Sequence, residues 1–205
     1  MKRILLSLLT LLVAVVGAEA KNWKIGPSSV TGMDFASINA AMSSSNVAVG
    51  DTLYLDQYYN ENSDQTVTKQ VVIIGTGYDT SLSDEQVVAR LTSILHLKAT
   101  NVKVMSVRLS DVYFYNDDCI LDRCYATYIQ TKSTTAGLNH IYSSYILGRI
   151  RGYDASNYSQ MDIQNCFICY QKDDMISYLT SSIIKNNTII LTDAYFSSYY
   201  CLAQI

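Results

Sequence analysis

Ile163-Gln-Asn-Cys-Phe-Ile168 is answered 21 residues later by Ile184-Lys-Asn-Asn-Thr-Ile189. The same 21-residue step links Cys124, Tyr145, Cys166 and Asn187. Three residues before them sit Leu121, Tyr142, Ile163 and Ile184; two residues after sit Ala126, Leu147, Ile168 and Ile189. Arg123, Ser144, Asn165 and Asn186 stand just before. A fixed period of about 20 residues built from short β-type segments is the signature of a solenoid. Each repeat of a solenoid buries its apolar face by stacking on the next. Asn tolerates the left-handed backbone region better than most residues, so Asn165 and Asn186 suit a tight corner between two strands of one rung.

N-terminal to the repeats, Thr52 to Leu55 alternates as a strand after a Gly50-Asp51 turn. Val67 to Ile74 reads as a second strand, stopped by Gly75-Thr-Gly77, and residues 78–86 as a polar loop. Val87 to Leu97 and Val102 to Leu109 continue the strand pattern, with a phase slip between Val104 and Val107. Residues 21–33 are extended, anchored by Trp23 and Ile25. One segment breaks the β pattern. In Asp34 to Met42 the residues Phe35, Ile38, Ala41 and Met42 share a helical face, and Asp34 is placed to cap it.

The first 20 residues read as a secretory signal peptide. Lys2 and Arg3 precede an apolar stretch from Ile4 to Val16, and Ala18-Glu-Ala20 is a small-x-small cleavage site. The expected organisation is therefore a signal peptide over 1–20 and one domain over 21–205, exported to the periplasm, cell surface or exterior. No membrane span is expected after cleavage. A formal charge of −3 with 16% charged residues lacks the basic stripe of a nucleic-acid binder. The chain holds 17 Tyr and a single Pro, a composition that favours continuous β ladders.

Five cysteines remain: Cys119, Cys124, Cys166, Cys169 and Cys201. An odd number argues against a complete disulfide framework. Cys124 and Cys166 are two repeats apart, which at the strand spacing of about 4.8 Å is beyond the disulfide limit of about 7 Å. They read as small inward residues. Cys166-x-x-Cys169 lacks the further ligands a metal site needs, and no metal is expected.

Gly50-Asp-Thr-Leu-Tyr-Leu55, Val67-Thr-Lys-Gln-Val-Val-Ile-Ile-Gly-Thr-Gly-Tyr78 and the rungs at Ile163 and Ile184 resemble secreted right-handed parallel β-helix proteins of the pectin-lyase-like superfamily. The Asp34–Met42 helix resembles their N-terminal cap. The resemblance implies an all-β, right-handed parallel β-helix of about seven rungs with a short capping α-helix. One departure is local: Asp56-Gln57-Tyr58 stands where Pro-Gly is common. At the other end, residues 192–205 either fold over as a cap, or the chain is a piece of a longer protein, or the end joins a partner.

Proteins of this kind carry activity on the outward residues of a long sheet. At a 21-residue step the outward columns are Tyr128, Arg149, Tyr170 and Leu191; then Gln130, Arg151, Lys172 and Asp193; then Lys132, Tyr153, Asp174 and Tyr195. The candidate binding patch is Tyr128, Arg149, Arg151, Tyr153, Tyr170, Lys172, Asp174 and Asp193. Tyrosines offer flat surfaces to sugar rings, and Arg or Lys pairs with acidic groups. Asp117-Asp118 and Asp173-Asp174 are adjacent pairs whose members point to opposite faces of a strand. Asn116-Asp-Asp118 with Arg149-Ile-Arg151 resembles the polygalacturonase pattern, but the required Gly-His is missing, since Asn139 precedes His140. No catalytic residue follows from these motifs. The expected function is non-catalytic binding of a polysaccharide or cell-surface partner. A polysaccharide lyase or glycoside hydrolase of the same class, using calcium if a lyase, is one alternative. A repeat segment of a larger adhesin is another.

Overall fold

The computed structural model describes residues 19–77, 88–132, 137–153, 159–170 and 176–191. The chain alternates between two sheets whose strands all pair in parallel. One sheet has eight strands in the order Asn22–Ile25, Thr52–Leu55, Val72–Ile74, Lys103–Met105, Ile120–Asp122, Leu138–Tyr142, Gln160–Gln164 and Ile183–Lys185. The second has nine. Asn60–Glu61 and Gln65–Val67 pair with Arg90–Leu97. Arg108–Phe114, Tyr125–Thr131, Tyr145–Arg151, Phe167–Tyr170 and Thr188–Leu191 follow, with Ile176–Ser177 beside Tyr145–Arg151. This is an all-β parallel solenoid. The figure of about seven complete turns does not carry over, because residues 78–87, 133–136, 154–158 and 171–175 fall within coils and lie outside the described residues.

The strand alternation builds the core directly. Leu53, Ile73, Val104, Leu121, Ile141, Ile163 and Ile184 are successive register partners along the eight-stranded sheet. Leu95, Val112, Ile129, Ile150 and Ile176 do the same in the other. Most of these side chains are fully buried, and together they form one continuous core. Burying each is worth about 1.5–3 kcal/mol.

The register corrects the strict 21-residue step. Leu121 pairs with Ile141, Ile141 with Ile163, and Ile163 with Ile184. One coil is thus a residue shorter than the average and the next a residue longer. The inward residues of the second repeat are Ile141 and Ile146, where the periodicity points to Tyr142 and Leu147. Likewise the series through Cys124, Cys166 and Asn187 passes through Ser144 and not Tyr145. The Cys124 amide donates to Ser144 Oγ at 3.1 Å, and the Cys166 amide to Asn187 Oδ1 at 2.7 Å.

Corners repeat as faithfully as the core. Ser106, Arg123, Ser143, Asn165 and Asn186 all have φ between 49° and 57°. A non-glycine residue there costs roughly 1–2 kcal/mol. Compensation comes from the next coil: Ser106 N donates to Asp122 O at 3.1 Å, Arg123 N to Tyr142 O at 3.1 Å, and Ser143 N to Gln164 O at 3.0 Å. Asn165 and Asn186 occupy the corner slot expected of them. The phase slip between Val104 and Val107 is the Ser106 corner. A corner also divides the single strand expected over Val67 to Ile74, since Gln65–Val67 and Val72–Ile74 belong to different sheets. Lys69, between them, donates to the Ser44 and Val47 carbonyls at 2.6 and 2.9 Å.

The helix spans Ile38–Ser43, shorter than the sequence pattern suggests. Ser37, not Asp34, caps it, accepting from Ala40 N at 3.1 Å. Asp34 instead accepts from Lys24 N at 2.8 Å, which holds the preceding loop to the first strand. Ile38, Ala41 and Met42 are buried, and Phe35 packs against Trp23 with ring centroids 5.4 Å apart. Asp51 fastens the first strand. Burial alone would raise its carboxyl, but hydrogen bonds from Lys21, Ala48 and Trp23 outweigh that and hold it below the usual range.

Cys119, Cys124, Cys166 and Cys169 are free thiols, the first three buried. Burial pushes the Cys124 thiol up to about 12 and Cys119 up to about 11. Such thiols are poor nucleophiles and metal ligands. Cys201 lies outside the described residues.

Candidate functional site

The outward face of the nine-stranded sheet carries three columns of polar and aromatic side chains. In-register parallel strands place equivalent positions about 4.8 Å apart, so like residues stack along the solenoid axis. The first column is Arg90, Arg108, Tyr125, Tyr145 and Phe167. The Arg108 guanidinium lies 5.2 Å from the Tyr125 ring centre. Tyr125 and Tyr145 stack at 5.6 Å and 10°, Tyr145 and Phe167 at 4.8 Å and 8°. Both faces of Tyr145 are therefore covered by its neighbours. This ladder is cohesive packing between coils. At its arginine end Arg90, Arg108, Tyr125, Thr92, Ser110 and Thr127 line an open cleft of about 300 Å³.

The second column is Asp111, Tyr128 and Arg149, and the third is His96, Tyr113, Gln130 and Arg151. Tyr113 meets Tyr128 nearly at right angles, 82°, with centroids 6.1 Å apart. That arrangement covers far less ring face than the parallel ladder does. Lys132 Nζ sits 4.3 Å from the Tyr113 ring centre and Lys98 Nζ 5.3 Å from that of Tyr115. Burial lowers the Lys132 ammonium from its ordinary value, and the nearby Arg151 charge adds to this. Arg151 also lies over the Tyr178 ring at 4.8 Å.

His96 joins these tyrosines to a carboxylate. Its Nδ1 is 3.2 Å from the Tyr115 hydroxyl and its Nε2 3.4 Å from Asp64 Oδ2. Asp64 is held below the usual carboxylate range, first by the hydroxyl of Ser93, then by the Ile94 amide and His96.

Of the residues singled out from the sequence, Tyr128 and Arg149 are direct register partners, and Arg151 follows beside Gln130. Tyr153 joins through its backbone, its carbonyl accepting from Gln130 Nε2 at 3.3 Å. The strand neighbour of Arg151 on the next coil is Ser177, so the third column continues through Ser177 where the 21-residue step points to Lys172. Tyr170 closes the strand Phe167–Tyr170 as a backbone position. Lys172, Asp174 and Asp193 lie outside the described residues. His96, Tyr113, Tyr115, Lys98 and Asp64 belong to the same face and were not reached from the repeat, because they precede its start near residue 118. The signal that could have found them is the alternation in Leu95-His-Leu97 and Val112-Tyr-Phe-Tyr115, which puts His96, Tyr113 and Tyr115 outward.

A second polar network lies on the eight-stranded sheet. Tyr142 donates to Asp162 Oδ2 at 2.7 Å, Gln164 Nε2 to Asp162 Oδ1 at 2.7 Å, and His140 Nδ1 is 2.7 Å from the Tyr142 hydroxyl. Burial pushes the Tyr142 phenol up to about 12, with the bond to Asp162 adding to it. Burial would raise Asp162 too, but the bonds from Tyr142, Gln164 and His140 outweigh it and lower the carboxyl. A lowered folded-state value means Asp162 stabilises the fold above the ordinary carboxylate range and loses that contribution as pH falls. Asp162→Asn is expected to weaken the fold at neutral pH and to flatten its decline as pH falls from about 5 through the lowered carboxyl value. Urea unfolding across that range checks it, and parallel curves for variant and parent would show no such contribution.

Among the described residues no group of three or more His, Cys, Asp or Glu could hold a metal ion. Among them, too, no helix is long and apolar enough to cross a membrane. No family model matches the chain, and no curated protein or solved structure matches it.

Proposed function

We propose that this chain is an exported, right-handed parallel β-helix of the pectin-lyase-like kind that binds an acidic polysaccharide or cell-surface glycan without acting on it. The observation that carries the reading is the outward Tyr113–Tyr128 pair with Arg149 beside it and Lys98 and Lys132 at its margin. A right-angled pair covers less ring than a parallel stack, and the flanking cations suit carboxylate or sulfate groups on a sugar. The cleft at Arg90 and Arg108 extends the same cationic face along the sheet. Tyr170, Lys172, Asp174 and Asp193 remain part of this proposal as further candidate contacts.

Titration with acidic and neutral polysaccharides tests it. Tyr128→Ala and Arg149→Gln are each expected to weaken binding of an acidic glycan about tenfold. Lys185→Gln, an exposed charge on the other sheet, is expected to leave it unchanged. Equal affinity of both patch variants and the parent would overturn this reading.

One observation favours the alternative of a polysaccharide lyase. His96, between Asp64 and the Tyr115 hydroxyl, pairs an imidazole with a phenol on the same face, the types of group that move protons in an elimination. Ultraviolet absorbance from unsaturated sugar products that disappears in His96→Ala would establish that reading in place of the first.

A further inference from the structure

Asp51 is 1% exposed and accepts three hydrogen bonds. Its Oδ1 takes one from Lys21 N at 2.7 Å; its Oδ2 takes one from Trp23 Nε1 at 2.7 Å and one from Ala48 N at 2.9 Å. Two of these donors are ordinary parts of the fold. The third is the nitrogen that follows the small-x-small stretch Ala18-Glu-Ala20.

We propose that the Ala20–Lys21 bond is a processing site and that the α-ammonium released there is received by the buried Asp51 carboxylate as a partly buried ion pair that locks the first strand. Water adds across the amide: its oxygen goes to the Ala20 carbonyl carbon, which leaves as a carboxylate, and the Lys21 nitrogen gains the protons. No electron transfer is involved. Before cleavage that nitrogen offers one neutral donor; afterwards it carries a positive charge and three N–H groups.

The surroundings fit this change. Glu19 and Ala20 are exposed, and the first strand starts at Asn22, after the bond to be cut. Lys21 stays in place through its carbonyl, which accepts from Thr52 N at 2.8 Å. Its own side chain turns toward the Trp23 ring, with Nζ 5.9 Å from the ring centre. Charge-assisted hydrogen bonds are roughly twice as strong as neutral ones, and more so away from solvent. A carboxylate this buried, met at hydrogen-bond distance by the atom that processing would charge, is the arrangement such a lock requires.

The inference rests on export and not on glycan binding, so either can fail alone. The mass of the exported protein is expected to correspond to a chain starting at Lys21; any other start overturns the proposal. Chains starting at Lys21 with a free or an acetylated amine are then compared by urea unfolding. The free amine is expected to favour folding by about tenfold or more, and Asp51→Asn is expected to abolish the difference. Equal stabilities, or a difference that survives Asp51→Asn, overturn it. Should Asp51→Asn not fold, acylation of the α-amine decides. It is expected to proceed at least about tenfold more slowly in the native chain than in urea, since the bound ammonium is the unreactive form. Equal rates overturn the proposal.

Discussion

Gly148→Ala is expected to destabilise the solenoid by about 3 kcal/mol and to disturb the binding face at the same time. Gly148 is buried in the strand Tyr145–Arg151, where the register against Tyr125–Thr131 slips. Ala126 pairs with Ile146, yet Tyr128 pairs with Arg149, so Leu147 and Gly148 together face Thr127. That two-against-one count is a β-bulge. A Cβ on Gly148 would lie 1.8 Å from the Thr127 carbonyl oxygen and 2.9 Å from its carbon. The obstacle is backbone, which cannot rotate aside as a side chain can, so the two coils must separate or the bulge must move. Either displaces Arg149 from Tyr128. The expected readout is a Tm lowered by roughly 10 °C together with weaker glycan binding. A stable Gly148→Ala variant with parental Tm would mean that the bulge is absent and the 20-residue pairing continues through the strand.

The same bulge explains what the sequence discloses and what it conceals. Alternation and recurrence expose the solenoid, the inward columns outside the coil of Ile141 and Ile146, and the Asn corners, because each depends on residue type at a local spacing. Tyr128 opposite Arg149 is also legible. It survives because a 20-residue step at Ala126 and an extra residue at Gly148 sum to the average period. His140 and Asp162 are concealed by a coil one residue longer, which pairs them at a step of 22. Asp64 and His96 stand 32 residues apart, a separation set by corners and loops and not by a repeat. Periodicity averages over loop lengths, while a stacked polar network depends on each one. The Ser37 cap was hidden for a different reason. Asp34 and Ser37 are both good caps by residue type, and the tertiary demand of the Lys24 amide on Asp34 decides between them.

Ile141→Ala and Leu147→Ala distinguish the observed register from a strict repeat, and their effects are expected to be far apart. Under an unbroken 21-residue step, Tyr142 and Leu147 would face the core of this coil. In the structure Ile141 is fully buried between Leu121 and Ile163, whereas Leu147 is 42% exposed. Truncating Ile141 removes three carbons from a column continuous through the sheet, so neighbouring coils cannot collapse onto the gap without losing their own strand bonds. A cost of about 2–5 kcal/mol follows. Leu147→Ala is expected to stay within about 0.5 kcal/mol. Urea unfolding of the two variants measures both. The reverse order would restore the strict period, return Tyr145 to the series of Cys124 and Cys166, and turn the Tyr125–Tyr145–Phe167 ladder inward. The observed order ties the outward ladder and the neighbouring Tyr128–Arg149 pair to a single cause, a short coil followed by a long one, so the position of the binding face depends on coil length as much as on the residues that form it.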